Sequence, residues 1–423
     1  MPGPERLTRD AVAALDAALA PLDAWAAKRW PGGALLGQPA HTVYVSAAVA
    51  EPGLSAAWGR AALRALDEHA GTPAALAAAV DLPAHEVEEA WPLLRQVLVD
   101  RPIQDLRIDL EDGYGPHTDD EEDADTDRAA ATLLAEAADP AGPMRLGFRH
   151  RSLEASTRAR AVRTFDRLIG RLSEGGGVPN GFVVTMPKVI HVDQVRVYVE
   201  LLAALEKAHG LPSESLRFEI QVETPQTILA ADGTASLAPM LDAAEGRCTG
   251  LHYGTYDYSA ALGVPAEHQR ADHPVAQTAK AVMRLAAAQT GVEVSDGSTN
   301  KLPVGDAATV HAHWRIHADL VAGALADGIR QGWDLHPAQL VTRHLVNIVT
   351  LRRRLPDALA RLAVYFGEDP AGGATVDEPA TAQALAADVL RAVATGAVPG
   401  REVEERSGTS IATLTALADR RVV

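Results

Sequence analysis

Residues 217–223 read RFEIQVE, residues 105–111 read DLRIDLE and residues 144–149 read MRLGFR. Side chains alternate across a strand, so each stretch has two unlike faces. Phe218, Ile220 and Val222 share one face, and Arg217, Glu219, Gln221 and Glu223 share the other. Leu106, Ile108 and Leu110 oppose Arg107, Asp109 and Glu111, while Leu146 and Phe148 oppose Arg145, Gly147 and Arg149. A surface sheet would show the same alternation. Here, however, Ala- and Leu-rich stretches with helical spacing, such as TRARAVRTFDRLIGRL, separate the strands, which argues for parallel β with crossover helices. The aliphatic face then packs on helices and the charged face points inward. Buried charges need partners, and the expected pairing sets Arg107, Arg145 and Arg217 against Asp109, Glu111 and Glu219.

Five further runs complete a series of eight: HTVYVSA from His41, GFVVTMPKV from Gly181, CTGLHYGTYD from Cys248, VEVSDG from Val292 and GWDLHP from Gly332. The fold class predicted is α/β, a closed (β/α)8 TIM barrel, with an open doubly wound sheet as the alternative. Residues 1–365 form the catalytic barrel domain, including an N-terminal helical extension and an insertion over 51–100 after the first strand, read as three helices. FGEDPAGGAT from Phe366 reads as a linker, and residues 376–423 as a small C-terminal helical cap, a candidate lid. The acidic run from Asp119 to Asp127 reads as a solvated loop entering a helix.

Of 423 residues, 47% are hydrophobic and 22% charged, so the chain has enough apolar residues for a large core. The net charge of −17 disfavours nucleic acid and anionic membrane surfaces as partners. No run of about 18 apolar residues predicts a membrane span. The single cysteine, Cys248, fits a reducing compartment, and a cytoplasmic location is expected.

In a barrel, sites form at the C-terminal ends of the strands. Glu223 is read as ending the fifth strand and Asp257 the sixth, 34 residues on, so the two should be neighbours at the mouth. Such a pair suits Mg2+ (or Mn2+), which prefers oxygen ligands, although carboxylates at loop edges also cap helices. Arg149, Asp112, Lys188 and His336 close other strands, and Gly254 and Thr255 lie just before Asp257. An arginine beside a metal suits a keto acid, because it stabilises an enolate as charge develops. Among the histidines, His117 is a second base candidate. His252 reads as a core residue, and His311, His313 and His317 as a helix face without a metallopeptidase pattern. Trp333 reads as packing.

DLEDG at Asp109, the third-strand arginine, MPKV at Met186, QVETPQTI at Gln221 and GTYDYSAALG at Gly254 resemble the citrate lyase β-subunit and malyl-CoA lyases. More broadly they are similar to the HpcH/HpaI aldolase superfamily. SDG at Ser295 and LHPAQL at Leu335 continue the series in order, over roughly residues 100–345. The resemblance implies that Glu223 and Asp257 are the metal ligands and that Arg149 contacts the keto oxygen, with Arg145 as its rival. It puts Glu111 and Asp112 near metal-bound water or the catalytic base, and makes the Gly254-Thr255 turn a substrate-carboxylate site. The implied activity is Mg-dependent carbon–carbon cleavage or formation on a hydroxy or keto acid through a stabilised enolate. The alternatives are an acyl-CoA lyase or synthase, which would want a basic groove at the mouth, and a non-catalytic keto-acid-binding protein. Lys188 is expected in an ion pair rather than a Schiff base. Ser298, Thr299 and Asn300 are turn residues within reach of a substrate. Assembly as a homo-oligomer is expected.

Overall fold

The computed structural model describes residues 7–32, 36–367 and 377–419. Eight strands form one sheet: β1 (His41–Ser46), β2 (Asp105–Asp109), β3 (Arg145–Arg149), β4 (Phe182–Met186), β5 (Arg217–Val222), β6 (Cys248–Tyr253), β7 (Glu293–Ser295) and β8 (Gly332–Asp334). All neighbours are parallel, in the order β7-β6-β5-β4-β3-β2-β1-β8. A parallel bridge from Ser295 to Gln331 and a 2.8 Å hydrogen bond from Asp296 N to Gln331 O join the two ends. The (β/α)8 barrel expected from the alternation is therefore the fold, and the open sheet is set aside.

The strand faces divide as their sequences require. Leu106, Ile108, Phe148, Val184, Phe218 and Ile220 are fully buried in the apolar layer under the helices. Inside the barrel, Arg107 pairs with Asp105 and sends Nη2 to Glu219 Oε2 at 2.8 Å. Glu219 also accepts from Thr185 at 2.5 Å and from the Tyr44 hydroxyl at 3.2 Å. Gly147 makes room for this mesh: a Cβ there would overlap the Val183 carbonyl and press on the Arg107 side chain.

The expected pairing needs correction at two arginines. Arg145 and Arg217 begin their strands, so they lie at the base of the barrel. Arg145 pairs with Glu293 at the start of β7, and Arg217 is exposed and donates to Gly246 O. Asp109 and Glu111 pair instead with Arg149.

The insertion folds as three helices, Leu54–Ala70, Pro73–Val80 and Ala84–Asp100. The acidic run is not a loop. It opens the helix Asp119–Ala138, with Thr118 and Glu121 forming a capping box. Asp123 and Asp127 then meet Arg160, Arg163, Arg167 and Arg171 of the helix Arg158–Glu174.

The expected linker falls mostly on residues 368–376, outside the described residues. Beyond it, Pro379–Ala394, Gly400–Ser407 and Ile411–Ala418 are helical; the first two pack against the long helix Gln339–Tyr365, and the third packs on the first. Buried Arg391 donates to Gln38 O and Arg330 O, which precede β1 and β8. The described tail thus covers the end where strands begin, and the expectation of a lid over the mouth is corrected. The N-terminal helix Arg9–Arg29 buries none of its residues. Among the described residues, no helix is long and apolar enough to cross a membrane.

Candidate active site at the barrel mouth

The strand ends converge on a cavity of about 660 Å³. Asp109, Asp112, Arg149, Gln221, Gly254, Thr255, Asp257, Ser298 and His336 line it, together with Tyr44 and Trp333. Asp109 and Arg149 are register partners on β2 and β3, so their side chains project into the barrel at one level. Arg149 Nε and Nη2 reach Asp109 at 2.7 and 2.6 Å, Nη1 reaches Gln221 Oε1 at 3.0 Å, and Glu111 lies 3.4 Å away. Burial opposes the Arg149 charge, yet Asp109 and then Glu111 hold it protonated far above any accessible pH. The Tyr44 and Trp333 rings sit against the guanidinium, at 5.1 and 6.0 Å.

Beside this fork stands a cluster of carboxylates. Asp112, Glu223 and Asp257 each offer an oxygen, and these oxygens all lie within 4.8 Å of one another. Lys188 occupies the middle: its Nζ is 2.7 Å from Asp257, 2.9 Å from Asp112, 3.4 Å from Glu223 and 3.8 Å from Glu111. It reaches inward from a residue at φ 54°, and its own amide donates to Glu223 Oε1 at 2.7 Å. Burial works against the Lys188 charge, but Glu223 and Glu111, with hydrogen bonds to Asp257 and Asp112, hold its pKa well above the ordinary lysine range. Lys188 is thus held in ion pairs with this cluster, as the sequence reading expected.

Burial pushes Glu223 up to about 8 despite Lys188, and pushes Glu111 up to about 7 despite Arg149. Burial also opposes ionisation of Asp112, but hydrogen bonding with Glu111 and Lys188 holds it below the usual carboxylate range. In this structure the Lys188 ammonium supplies the counter-charge to the three converging oxygens. Hard oxygen donors, one fully buried and two open to the cavity, fit a divalent ion of the Mg2+ or Mn2+ kind.

The mouth thus gathers Arg149, Glu111, Asp112, Glu223, Asp257, Gly254 and Thr255, and it adds Asp112 to the two carboxylates expected at the metal. Arg145 is excluded: strands rise about 3.3 Å per residue, which sets it near the opposite end, in a separate cleft of about 580 Å³ with Arg217 and Glu293. The Gly254 amide is committed to Val222 O at 2.9 Å, and Thr255 Oγ1 donates to Ser298 O at 3.1 Å, tying the β6 turn to the loop after β7. In that loop the Asn300 amide donates to the Tyr256 hydroxyl, and Gln339 Nε2 reaches Thr299 O at 3.2 Å.

His117 stacks on Tyr114 and is absent from the cavity lining. His252 is a core residue: its Nε2 lies 3.1 Å from Glu219 and its Nδ1 accepts from Trp333 Nε1 at 3.1 Å. His311, His313 and His317 bond to three separate partners, His69 O, Leu302 O and Asp334 with Thr342. Trp333, expected only to pack, also floors the cavity. Tyr44 was not singled out, although the alternation of HTVYVS sends it inward with Thr42. Val49, Leu54 and Trp58, which wall the cavity near β1, left no signal, because nothing in the insertion reveals its position over the mouth.

An L-malyl-CoA/beta-methylmalyl-CoA lyase of Haloarcula marismortui is 28% identical over 247 residues, covering 57% of this chain and 66% of that relative's length. Among solved structures, a citrate lyase from Burkholderia xenovorans aligns with TM-score 0.51 at 20% identity, over 76% of this chain and 92% of that one. A Haloferax volcanii malate synthase in complex with magnesium and glyoxylate aligns with TM-score 0.50 at 16% identity, over 91% and 99%. At such identities the structures bear on the fold alone, which is the barrel described above. The sequence match bears out the resemblance to the citrate lyase and malyl-CoA lyase superfamily. A family model described as "Domain of unknown function (DUF6986)" matches residues 19–422, and the chain belongs to that family.

Proposed function

We propose that this chain is a divalent-metal-dependent carbon–carbon lyase, acting in either direction on a hydroxy or keto acid. The observation that carries the reading is the convergence of Asp112, Glu223 and Asp257 within 4.8 Å, beside Arg149. Asp112, Glu223 and Asp257 would hold the ion. A bound divalent cation supplies positive charge where an enolate oxygen develops. Arg149 presents a guanidinium already oriented by Asp109 and Gln221, so it donates to the same developing charge without reorganising. Glu111, whose Oε2 accepts from the Asp112 amide at 2.8 Å, stands beside the three ligands as the carboxylate that takes and returns a proton. Gly254, Thr255 and Ser298 shape the side where a substrate carboxylate sits. A Schiff base has no place in this scheme.

A second reading, cleavage or synthesis of an acyl-CoA, is favoured by the match to a malyl-CoA lyase. Cytoplasmic location and assembly into a homo-oligomer belong to the same proposal. The test is a metal-supplemented screen of hydroxy-keto acids and acyl-CoA esters, read by release of pyruvate or glyoxylate. Glu223→Gln and Asp257→Asn are run alongside, with Mg2+ binding followed by calorimetry. Activity and metal binding are both expected to vanish in these variants while the fold persists. Keto-acid binding with Mg2+ but no turnover of any compound would overturn the reading in favour of a binding protein.

A further inference from the structure

The cavity has two unlike walls. Asp112, Thr255, Asp257 and Ser298 make one side polar. The other side comes from the end of β1, the insertion and the turn after β8: it is mostly apolar, with Val45, Val49, Leu54, Trp58, Leu335 and Pro337, and carries Ser46 and His336 among them. β1 pairs with β8 and lies four places from β5 in the sheet order, so this apolar wall faces the Glu223 cluster across the mouth. Val49 leaves 65% of its surface exposed at the rim of the cavity. Trp58 is half-buried beside it. Among the described residues that line the cavity, Arg149 is the one Lys or Arg, and its fork is taken up by Asp109 and Gln221. A volume of about 660 Å³ lies within the range of about 300–1,000 Å³ that takes ligands of drug size. A two- or three-carbon oxo acid at the carboxylate cluster would fill only part of it.

We propose that the second fragment is an apolar aldehyde, alkyl or aryl, seated on Val49, Leu54 and Trp58, and that these residues set specificity. The inference rests on the carbon–carbon lyase reading and deepens it. The substrate class is then a 4-hydroxy-2-oxo acid with an apolar group on C4. In cleavage, the C4 hydroxyl loses its proton to a carboxylate and its oxygen becomes the aldehyde carbonyl. The C3–C4 bond breaks, its electron pair enters the enolate of the 2-oxo acid, and C3 is then protonated. No oxidant or reductant is consumed. Each methylene moved from water onto an apolar wall favours binding by about three- to fourfold.

The experiment measures kcat/KM on 4-hydroxy-2-oxo acids whose C4 group runs from methyl through propyl and pentyl to phenyl, with a carboxymethyl compound and an acyl-CoA thioester for comparison. Wild type, Val49→Asp and Trp58→Ala are compared. The expected result is a rise of about two- to fourfold per methylene in wild type, with a much shallower slope in both variants. A flat profile, or preference for the carboxymethyl compound or the thioester, overturns the inference while leaving the lyase reading standing. If nothing is cleaved, the lyase reading fails, and the wall is tested by binding alone. 2-Oxooctanoate should then raise the melting temperature more than pyruvate does in wild type, with that difference lost in Trp58→Ala. Equal shifts for the two acids would sink the apolar wall.

Discussion

Replacing Lys188 with methionine should tighten divalent-metal binding. The ammonium lies 2.7 Å from Asp257, 2.9 Å from Asp112 and 3.4 Å from Glu223, the oxygens a metal would use. An ammonium and a divalent ion sharing those oxygens would sit within about 4 Å. Their repulsion there is roughly 8 kcal/mol at an effective dielectric constant near 20, so they exclude one another. Metal entry in the wild type must therefore break two short charge-assisted hydrogen bonds, each worth about 1.5–3 kcal/mol. Water offsets much of that loss, because 19% of the Lys188 side chain is already exposed. A residual of about 1.4–3 kcal/mol corresponds to roughly ten- to a hundredfold tighter Mg2+ or Mn2+ binding in the variant. Calorimetric titration of chelator-treated protein measures it, with Mn2+ paramagnetic resonance as a second readout. Without metal, the same variant should melt lower, since the three carboxylates lose their counter-charge. Unchanged or weaker metal affinity would refute the reasoning, because it would mean that lysine and metal do not compete for one place.

Gly254→Ala should damage the same site from the backbone side: a Cβ there would overlap Glu223 Cβ and come 3.3 Å from Oε2. A stability loss of about 1–3 kcal/mol and metal binding at least tenfold weaker are expected by calorimetry, and an unperturbed titration would show that the β5 end yields freely. Acid stability should depend on His150, which is fully buried between Tyr198 and its neighbour's carbonyl. Burial lowers its pKa from 6.5 to about 4, against the Arg151 carbonyl contact that raises it. Because the folded value is the depressed one, this stabilisation is complete above pH 6.5 and is lost as pH falls through about 4. Up to about 3 kcal/mol is at stake. Urea unfolding from pH 7 to 4 should show a flatter acid limb for His150→Gln, and parallel limbs would exclude the assignment.

How much of this was legible in the sequence depended on the range of the interaction. Strand phase is local, so the inward set Arg107, Asp109, Arg149, Glu219 and Glu223 followed from alternation alone. Arg145 and Arg149 share that phase, and phase cannot say which end of a strand a residue occupies; the strand-end rule does, and it separates them. The pairing of Arg107 with Glu219 follows from face alone, whereas the partners of Arg145 and Arg217 do not, because pairing across a barrel depends on height as well as face; for the same reason Asp105 joins Arg107 where Asp109 does not. The tail failed for a different reason. Its helices have buried faces at Ala386, Val389 and Leu390, but an apolar stripe is silent about which surface covers it, and here that surface is the long helix at the far end of the barrel. Trp58 was invisible on the same ground, since its approach to the mouth is set by tertiary packing of the insertion.

The barrel interior explains why one half of the site is rigid and the other exchangeable. Arg107, Tyr44, Thr185 and His252 all bond to Glu219 or lie against its carboxylate. Burial keeps His252 neutral, with a pKa of about 4, so its Nδ1 is free to accept the Trp333 indole N–H while Nε2–H faces Glu219. Trp333 and Tyr44 are thereby held against each other, with ring centroids 4.4 Å apart and planes tilted by 31°, and both rings sit against the Arg149 guanidinium. Asp109 and Gln221 then complete its fork, so its orientation exists before any ligand arrives. The carboxylate cluster is built on the opposite principle. Its cohesion comes from one long, rotatable side chain, Lys188, whose charge equals only half that of a divalent ion and whose withdrawal costs no packing of the barrel core. Substrate recognition by Arg149 should therefore persist in metal-free protein, whereas the geometry of Asp112 and Asp257, both open to the cavity, should change with the identity of the cation between them.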